Sequence, residues 1–506
     1  MSEIVRYGTG LWPSSEQIAE RDRRVRYLVA AGVMSLAAAY AVAVVAAEGS
    51  ALLVAPFAGA LAGIVLFVWP RSGVYALFGA ALLFEEWGIA GLSPITTLTH
   101  FFQNLSGFSE IPLRLSVADM LVLLSVLAWL LRRLVGANPP ARMGPLGWPV
   151  MAYGALFVLG LLVGIGRGGG WNQTAALAEL RGPLFLCVTY FLTVNLVREQ
   201  QHMTILLRLL VVLTVVKAVQ GLWNYVDMVN GPVWLDAVTA HEDVVFFNLA
   251  LVFALAAFVI DARGRLSWML YAAVPFIVAT ELVTQRRVAF VALAAALVVL
   301  AVLLSVERPR RTALFFGASV LVFLAYAALF WDQQGLLAQP VRAIKGIIDP
   351  TSLSPRDLAS NWWRQIEDLN VANTIRQLPL TGVGLGQEYL FVREPPALTN
   401  FIYWRYMTHD AVLWVWLKAG VAGMLAFWTL VAQTAIVGAR LFRRLPSANL
   451  KLVAMLPILL IVIQVVFSSV DLGLTYSRNM VVLGTVLGLT GFLAAQSVAP
   501  PRSRTS

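Results

Sequence analysis

Apolar runs of about twenty residues recur along nearly the whole chain, and no other feature limits the fold so strongly. They occupy positions 27–47, 51–69, 74–92, 115–131, 148–165, 177–196 and 203–226, then 244–260, 266–283, 288–305, 313–331, 409–436, 452–470 and 480–495. Each is long enough to cross a bilayer as a helix, so the expected fold is all-α, a polytopic membrane bundle of about 14 transmembrane helices, or 12 to 14. Hydrophobic residues make up 59% of the 506 and charged residues 13%, about half the charge of an ordinary soluble domain, which excludes a soluble globular reading. The single cysteine, Cys187, excludes an intrachain disulfide. A net charge of +10 would point to nucleic acid in a soluble protein. Here the basic residues fall between apolar runs, where they set orientation, and no nucleic-acid partner is expected.

Threading the runs alternately through a bilayer assigns each connection to one side. One side receives Arg71, Arg132, Arg133, Arg142, Arg198, Arg263, Arg265, Arg308, Arg310, Arg311, Arg440, Arg443, Arg444, Lys451, Arg502 and Arg504. By the positive-inside rule that side is cytoplasmic. Arg21, Arg23, Arg24 and Arg26 precede a first run without a cleavage site, so an uncleaved first helix and two cytoplasmic termini are expected. The other side holds short links and two longer pieces, 93–114 and 332–408. The chain therefore reads as one membrane domain, 1–506, with a large extracytoplasmic loop at 332–408. Its segment NWWRQIEDLNVANTI, at 361–375, has the spacing of an amphipathic helix lying at the outer surface.

Three arginines break the charge rule. Arg181, Arg286 and Arg287 fall at the outer starts of apolar runs, where the helix dipole already presents positive charge. An anion would offset both costs, and guanidinium forks suit phosphate; the plainer alternative is snorkelling to headgroups. His409 opens the run after the large loop, and an imidazole titrating near neutrality suits a general base. At 100° per residue it shares a stripe with Leu413, Trp416, Gly420 and Gly423. The plainer alternative is that Thr408, His409 and Asp410 cap the helix. His241, followed by Glu242 and Asp243, could bind a sugar or a metal, although acids at helix starts are common for electrostatic reasons alone; His100 and His202 are weaker candidates. Glu85, Glu86, Asp119, Lys217, Glu281 and Lys418 lie within or beside apolar runs and must face the protein interior or water. GVGLG at 382–386 has no strand-to-helix unit around it and reads as a tight turn rather than a nucleotide loop.

Taken in order, these features resemble the O-antigen ligase and O-antigen polymerase superfamily of bacterial envelope glycosyltransferases. PLTGVGLG at 379–386 is similar to the family's proline-then-glycine stretch late in its large periplasmic loop. THDAVLWVWLKAGVAGMLAF at 408–427 resembles its re-entry helix, TQRRVAF at 284–290 its arginine motif, and 361–375 the segment before the glycine turn. The resemblance spans roughly 177–437. It departs from the family pattern where Asp410 follows His409 in place of Asn or Ser, which leaves either as the base, and in a helix count above the family's dozen.

The resemblance implies a GT-C-like fold and an inverting, metal-independent transferase without a cofactor, in the bacterial inner membrane. Its donor would be a glycan on undecaprenyl pyrophosphate and its acceptor a glycan or a lipid-linked sugar, with membrane lipids and polysaccharide assembly and export proteins as further partners. On that basis Arg286, Arg287 and Arg181 would hold the pyrophosphate and His409 would handle the acceptor proton. Arg364, Arg405, Asp410 and His241 would contact substrate, with Trp362, Trp363, Tyr403 and Trp404 as candidate sugar-stacking surfaces. A small-anion transporter using the same arginines is the alternative from another class, and a non-catalytic scaffold a third. Transport has no need of the large loop and its histidine.

Overall fold

The computed structural model describes residues 15–46, 51–88, 92, 94–107, 114–231, 237–398 and 401–498. Arg502, Arg504 and residues 108–113 of the first long link lie outside them. The secondary structure of these residues is helical, with one isolated bridge between Asn104 and Ser116. The helices are α1 (Ser15–Ala46), α2 (Ala51–Val68), α3 (Arg71–Leu83), α4 (Ile95–Leu98), α5 (Val117–Leu134), α6 (Gly147–Arg167), α7 (Gln173–Leu196), α8 (Gln200–Asn230) and α9 (Asp243–Val259). They continue with α10 (Arg265–Thr284), α11 (Arg287–Glu307), α12 (Pro309–Phe330), α13 (Gln339–Ile348), α14 (Pro355–Gln377), α15 (Ala411–Arg444), α16 (Ala448–Ser468) and α17 (Ser477–Val498).

The expected apolar runs fall on these helices, except that α3 ends at Leu83 and so covers only the first half of 74–92, and fewer of them can span. Among the described residues nine are long and apolar enough, and ten if α2 and α3 count as one broken span. The shortfall has local causes. Pro70 cannot continue a helix, and α2 and α3 meet there at 120°. α5 carries Asp119, Arg132 and Arg133 within 18 residues, and α9 has only 17.

Packing follows side-chain size. Gly484, Gly488 and Gly491 on α17 face Thr189, Thr193 and Val194 on α7, so the two backbones approach as closely as small residues allow. α12 is the opposite case, with none of its apolar window buried. The acidic and basic residues expected to face inward do so. Glu85 pairs with Lys217, Glu179 with Lys418 at 3.0 Å, and Arg478 with Glu242 and Asp243 at 2.6 Å each. The basic links gather at one end of the bundle: Arg71 bonds Leu196 and Glu199, Arg198 bonds Pro140, and Lys451 meets Glu307. The His409 loop, the α10–α11 turn and the α16–α17 turn lie at the other.

The large loop folds back on that second end. The helix expected at 361–375 is present as part of α14, and its polar side chains hold the returning chain. Asn370 bonds the backbone of Val392 and Arg393, and Thr374 that of Leu390. The glycine turn then wedges between α6 and α15. Val383 N–H donates to Leu417 O at 2.7 Å and Leu385 N–H to Gly160 O at 3.0 Å. Gly420 does not serve as a flat packing stripe; it breaks α15 with a φ of 67° where Leu380 passes, so a side chain there would strike backbone. Gly384 has a φ of 87° and rests on the Gly164 backbone. Gly384→Ala meets both penalties, and thermal unfolding in detergent is expected to show a loss on the order of 2 kcal/mol.

Candidate active site

His409 is not the first turn of α15 but the residue before its cap. Asp410 takes the cap, its Oδ1 accepting from Val412 N at 3.0 Å and Leu413 N at 2.9 Å. That role commits the Asp410 carboxylate to backbone and leaves the imidazole to turn elsewhere. It turns to Glu367 on α14. His409 Nδ1 lies 3.1 Å from Glu367 Oε2, and the same oxygen accepts the His409 backbone N–H at 2.9 Å. The Glu367 side chain has no exposure while His409 keeps 22%, so one face of the ring stays accessible. Trp363 meets that ring edge-on at 5.1 Å. Its indole N–H donates to Pro396 O at 2.8 Å, and the ring is largely buried.

A second histidine–carboxylate pair stands nearby. His241 Nδ1 is 3.1 Å from Asp471 Oδ2 in the α16–α17 turn, whose other oxygen accepts from Tyr476 O–H at 3.1 Å and Leu472 N–H at 2.8 Å. The expected His241–Glu242–Asp243 group is therefore divided: His241 faces this end while both acids turn inward to Arg478. Burial would push the Asp471 carboxyl up, yet His241, with His409 and Arg286 beyond, holds it well below the usual carboxylate range. Burial likewise pulls the His409 imidazole down, and Glu367, helped by Asp471, overcomes this and holds it above the ordinary histidine value. Burial, then the charges of Asp410 and Glu367, pushes the neighbouring Asp368 carboxyl up to about 6.

The two arginines of the α10–α11 turn diverge. Gln285 adopts a left-handed φ of 55°, reversing the chain so that Arg286 becomes the residue before α11 and Arg287 its first. Arg286 lies within electrostatic reach of Asp471 and Tyr476. Arg287 points to the loop, 3.2 Å from Asp357 at the start of α14, with Arg364 and Arg342 close by. Arg364 stands near His409, and its Nε is buried without a hydrogen-bond partner. Thus His409, His241, Arg286, Arg287 and Arg364 form one neighbourhood.

Arg181 and Arg405 stand apart from it. Arg181 pairs with Asp119 at 2.8 Å and Asn104 at 2.7 Å. It lines a cavity of about 330 Å³ with Arg114, Glu86, Tyr403 and Tyr476, and Tyr476 is its link to Asp471. Arg405 is held between Glu388 and Glu394 and lies over Trp404 and Phe391, which makes it a brace within the loop. Trp362 remains 43% exposed, with Arg393 stacked on it at 5.2 Å.

Residues 272–428 match the family model described as O-antigen ligase. Over that stretch the chain is similar to the O-antigen ligase family. The match covers less than a third of the 506 residues, running from within α10 through the Arg286–Arg287 turn, the large loop and His409 into α15. No curated protein matches the chain. The match supports a membrane glycosyl-transfer enzyme of the ligase or polymerase type working on lipid-linked glycans. Within the O-antigen ligase segment, Glu367 was not singled out from sequence although it lies inside 361–375. Asp471, beyond that segment, carried one signal, a lone acid in a short outer link.

Proposed function

We propose that this protein transfers a glycan from undecaprenyl pyrophosphate to an acceptor hydroxyl at the extracytoplasmic face of the bacterial inner membrane, as a single membrane domain with both termini cytoplasmic. The observation that carries the reading is the His409–Glu367 pair beside the Arg286–Arg287 turn. With Nδ1 turned to Glu367, Nε2 is the nitrogen left for the acceptor hydroxyl. His409 takes that proton as the acceptor oxygen bonds to the anomeric carbon. The bond from that carbon to the diphosphate oxygen breaks, and its electron pair leaves on the diphosphate. A single displacement of this kind inverts the anomeric centre. Arg286 and Arg364 receive the growing negative charge, which assigns to guanidinium groups the electrostatic work a metal performs in other transferases.

Arg287 has a partner role, holding α14 through Asp357 so that Glu367 reaches His409. Arg181, in the cavity joined to the site at Tyr476, holds a more distant part of the donor or acceptor, and His241 orients a sugar hydroxyl. Arg405 and Asp410 support the loop and the α15 start. Passage of a small anion needs neither the buried carboxylate behind His409 nor the folded loop that carries it.

The test uses the full chain in nanodiscs with an undecaprenyl-pyrophosphate-linked glycan and an acceptor glycan, following release of the lipid pyrophosphate. His409→Ala is expected to lower the rate by roughly 10²- to 10⁴-fold with donor binding retained. Transfer at the normal rate by this variant would overturn the reading.

A further inference from the structure

A cleft outside the site lies at the far end of α10. That helix begins at Arg265 and ends at Thr284 beside Arg286, so about 30 Å of helix separates its two ends. At the Arg265 end, the α9–α10 turn and the first turns of α10 and α12 enclose about 770 Å³, within the ~300–1,000 Å³ of small-molecule sites. Its walls and its mouth differ in chemistry. Phe258, Phe315, Trp268, Tyr271 and Leu314 form an aromatic and aliphatic lining, with Phe258 packed on Phe315 and Trp268 on Tyr271. Trp268 and Leu314 are each about three-quarters exposed.

The mouth is basic. Arg263 and Arg311 both line it, Arg308 is within electrostatic reach, and Asp261 is the one acid lining it. Asp261 pairs with Arg263 at 3.1 Å and also feels Arg311 and Arg308, so one acid faces three guanidinium groups and the mouth keeps a positive excess. An apolar slot between two membrane helices, opening on surplus guanidinium charge at one end of the bundle, matches a molecule with acyl chains and an anionic head. We infer that this cleft binds an anionic phospholipid of the leaflet opposite the His409 site, with its phosphate at Arg263 and Arg311 and an acyl chain between α10 and α12. α12 supports the same occupant, since none of its apolar stretch is buried by protein and the lipid would cover part of what is left open.

Native mass spectrometry of the full chain tests this with phosphatidylglycerol, phosphatidylcholine of the same chains, and glycerol 3-phosphate as the soluble anion. Phosphatidylglycerol is expected to bind more tightly than phosphatidylcholine, and Arg263→Ala with Arg311→Ala to weaken it about thirtyfold while leaving phosphatidylcholine unchanged. Leu314→Glu, which adds a carboxylate to the wall and spares both arginines, is expected to weaken it as well. Arg443→Ala with Arg444→Ala, an exposed basic pair elsewhere at that end, is expected to have no effect. Equal binding of the two lipids, equal loss in the two arginine pairs, or displacement of the lipid by glycerol 3-phosphate at matched concentration would each overturn the inference.

Discussion

Replacing Glu367 by glutamine is expected to lower glycan transfer by about 10²-fold and to move the acid limb of the pH–rate profile to lower pH. The rate loss follows from orientation: a carboxylate that accepts both the ring N–H and the backbone N–H of His409 fixes which nitrogen faces the acceptor, and an amide holds that geometry less strongly. The pH shift follows from charge. Glu367 is the chief group raising the His409 imidazole against the pull of burial. A base must be neutral to accept a proton, so the native rate falls as pH drops through this raised value. Without the carboxylate, burial dominates and the imidazole stays neutral to lower pH. The variant is therefore slower at every pH but loses less of its own rate on acidification. Asp368, pushed up to about 6, titrates in the same region. Asp368→Asn in both backgrounds separates the two, because only the Glu367-dependent shift should survive it. A profile in which Glu367→Gln moves the acid limb upward, or leaves it in place, removes His409 from the role of base.

The bundle was legible because bilayer thickness writes itself into run length, and the expected runs lie on helices, with 74–92 helical only to Leu83. Spanning capacity was less so. A proline bend between α2 and α3 and three charges on α5 alter what a helix can cross, although they barely alter a hydropathy window. The site divides in the same way. Arg286, Arg287 and His409 announce themselves as polar residues at the ends of apolar runs. Their partners do not, since Glu367 lies 42 residues before His409 and Asp471 lies 230 after His241. Only the folding of α14 onto α15, and of the α16–α17 turn toward α9, makes them neighbours. Arg405 shows the same limit: nothing in the sequence tells that this loop arginine sits between Glu388 and Glu394.

The arginine turn supplies the second large effect, and its two members should fail differently. Arg286→Ala removes a guanidinium next to Asp471 and Tyr476, where a departing diphosphate would gather charge. Losses of one such electrostatic contact run to roughly 10²- to 10³-fold in the rate constant. Donor binding should change less than the rate, because the charge is greatest in the transition state. Arg286→Lys keeps the charge but not the fork, so partial recovery is expected. Arg287→Ala breaks the contact with Asp357 at the start of α14. Its effect should pass through the loop: faster proteolysis between α13 and α15, with a rate loss partly restored by the exchanged pair Arg287→Asp with Asp357→Arg. Binding and turnover of a purified lipid-linked donor, measured separately for each variant, decide the matter. Arg286→Ala would have to weaken binding and leave the rate constant intact for the leaving-group assignment to be wrong.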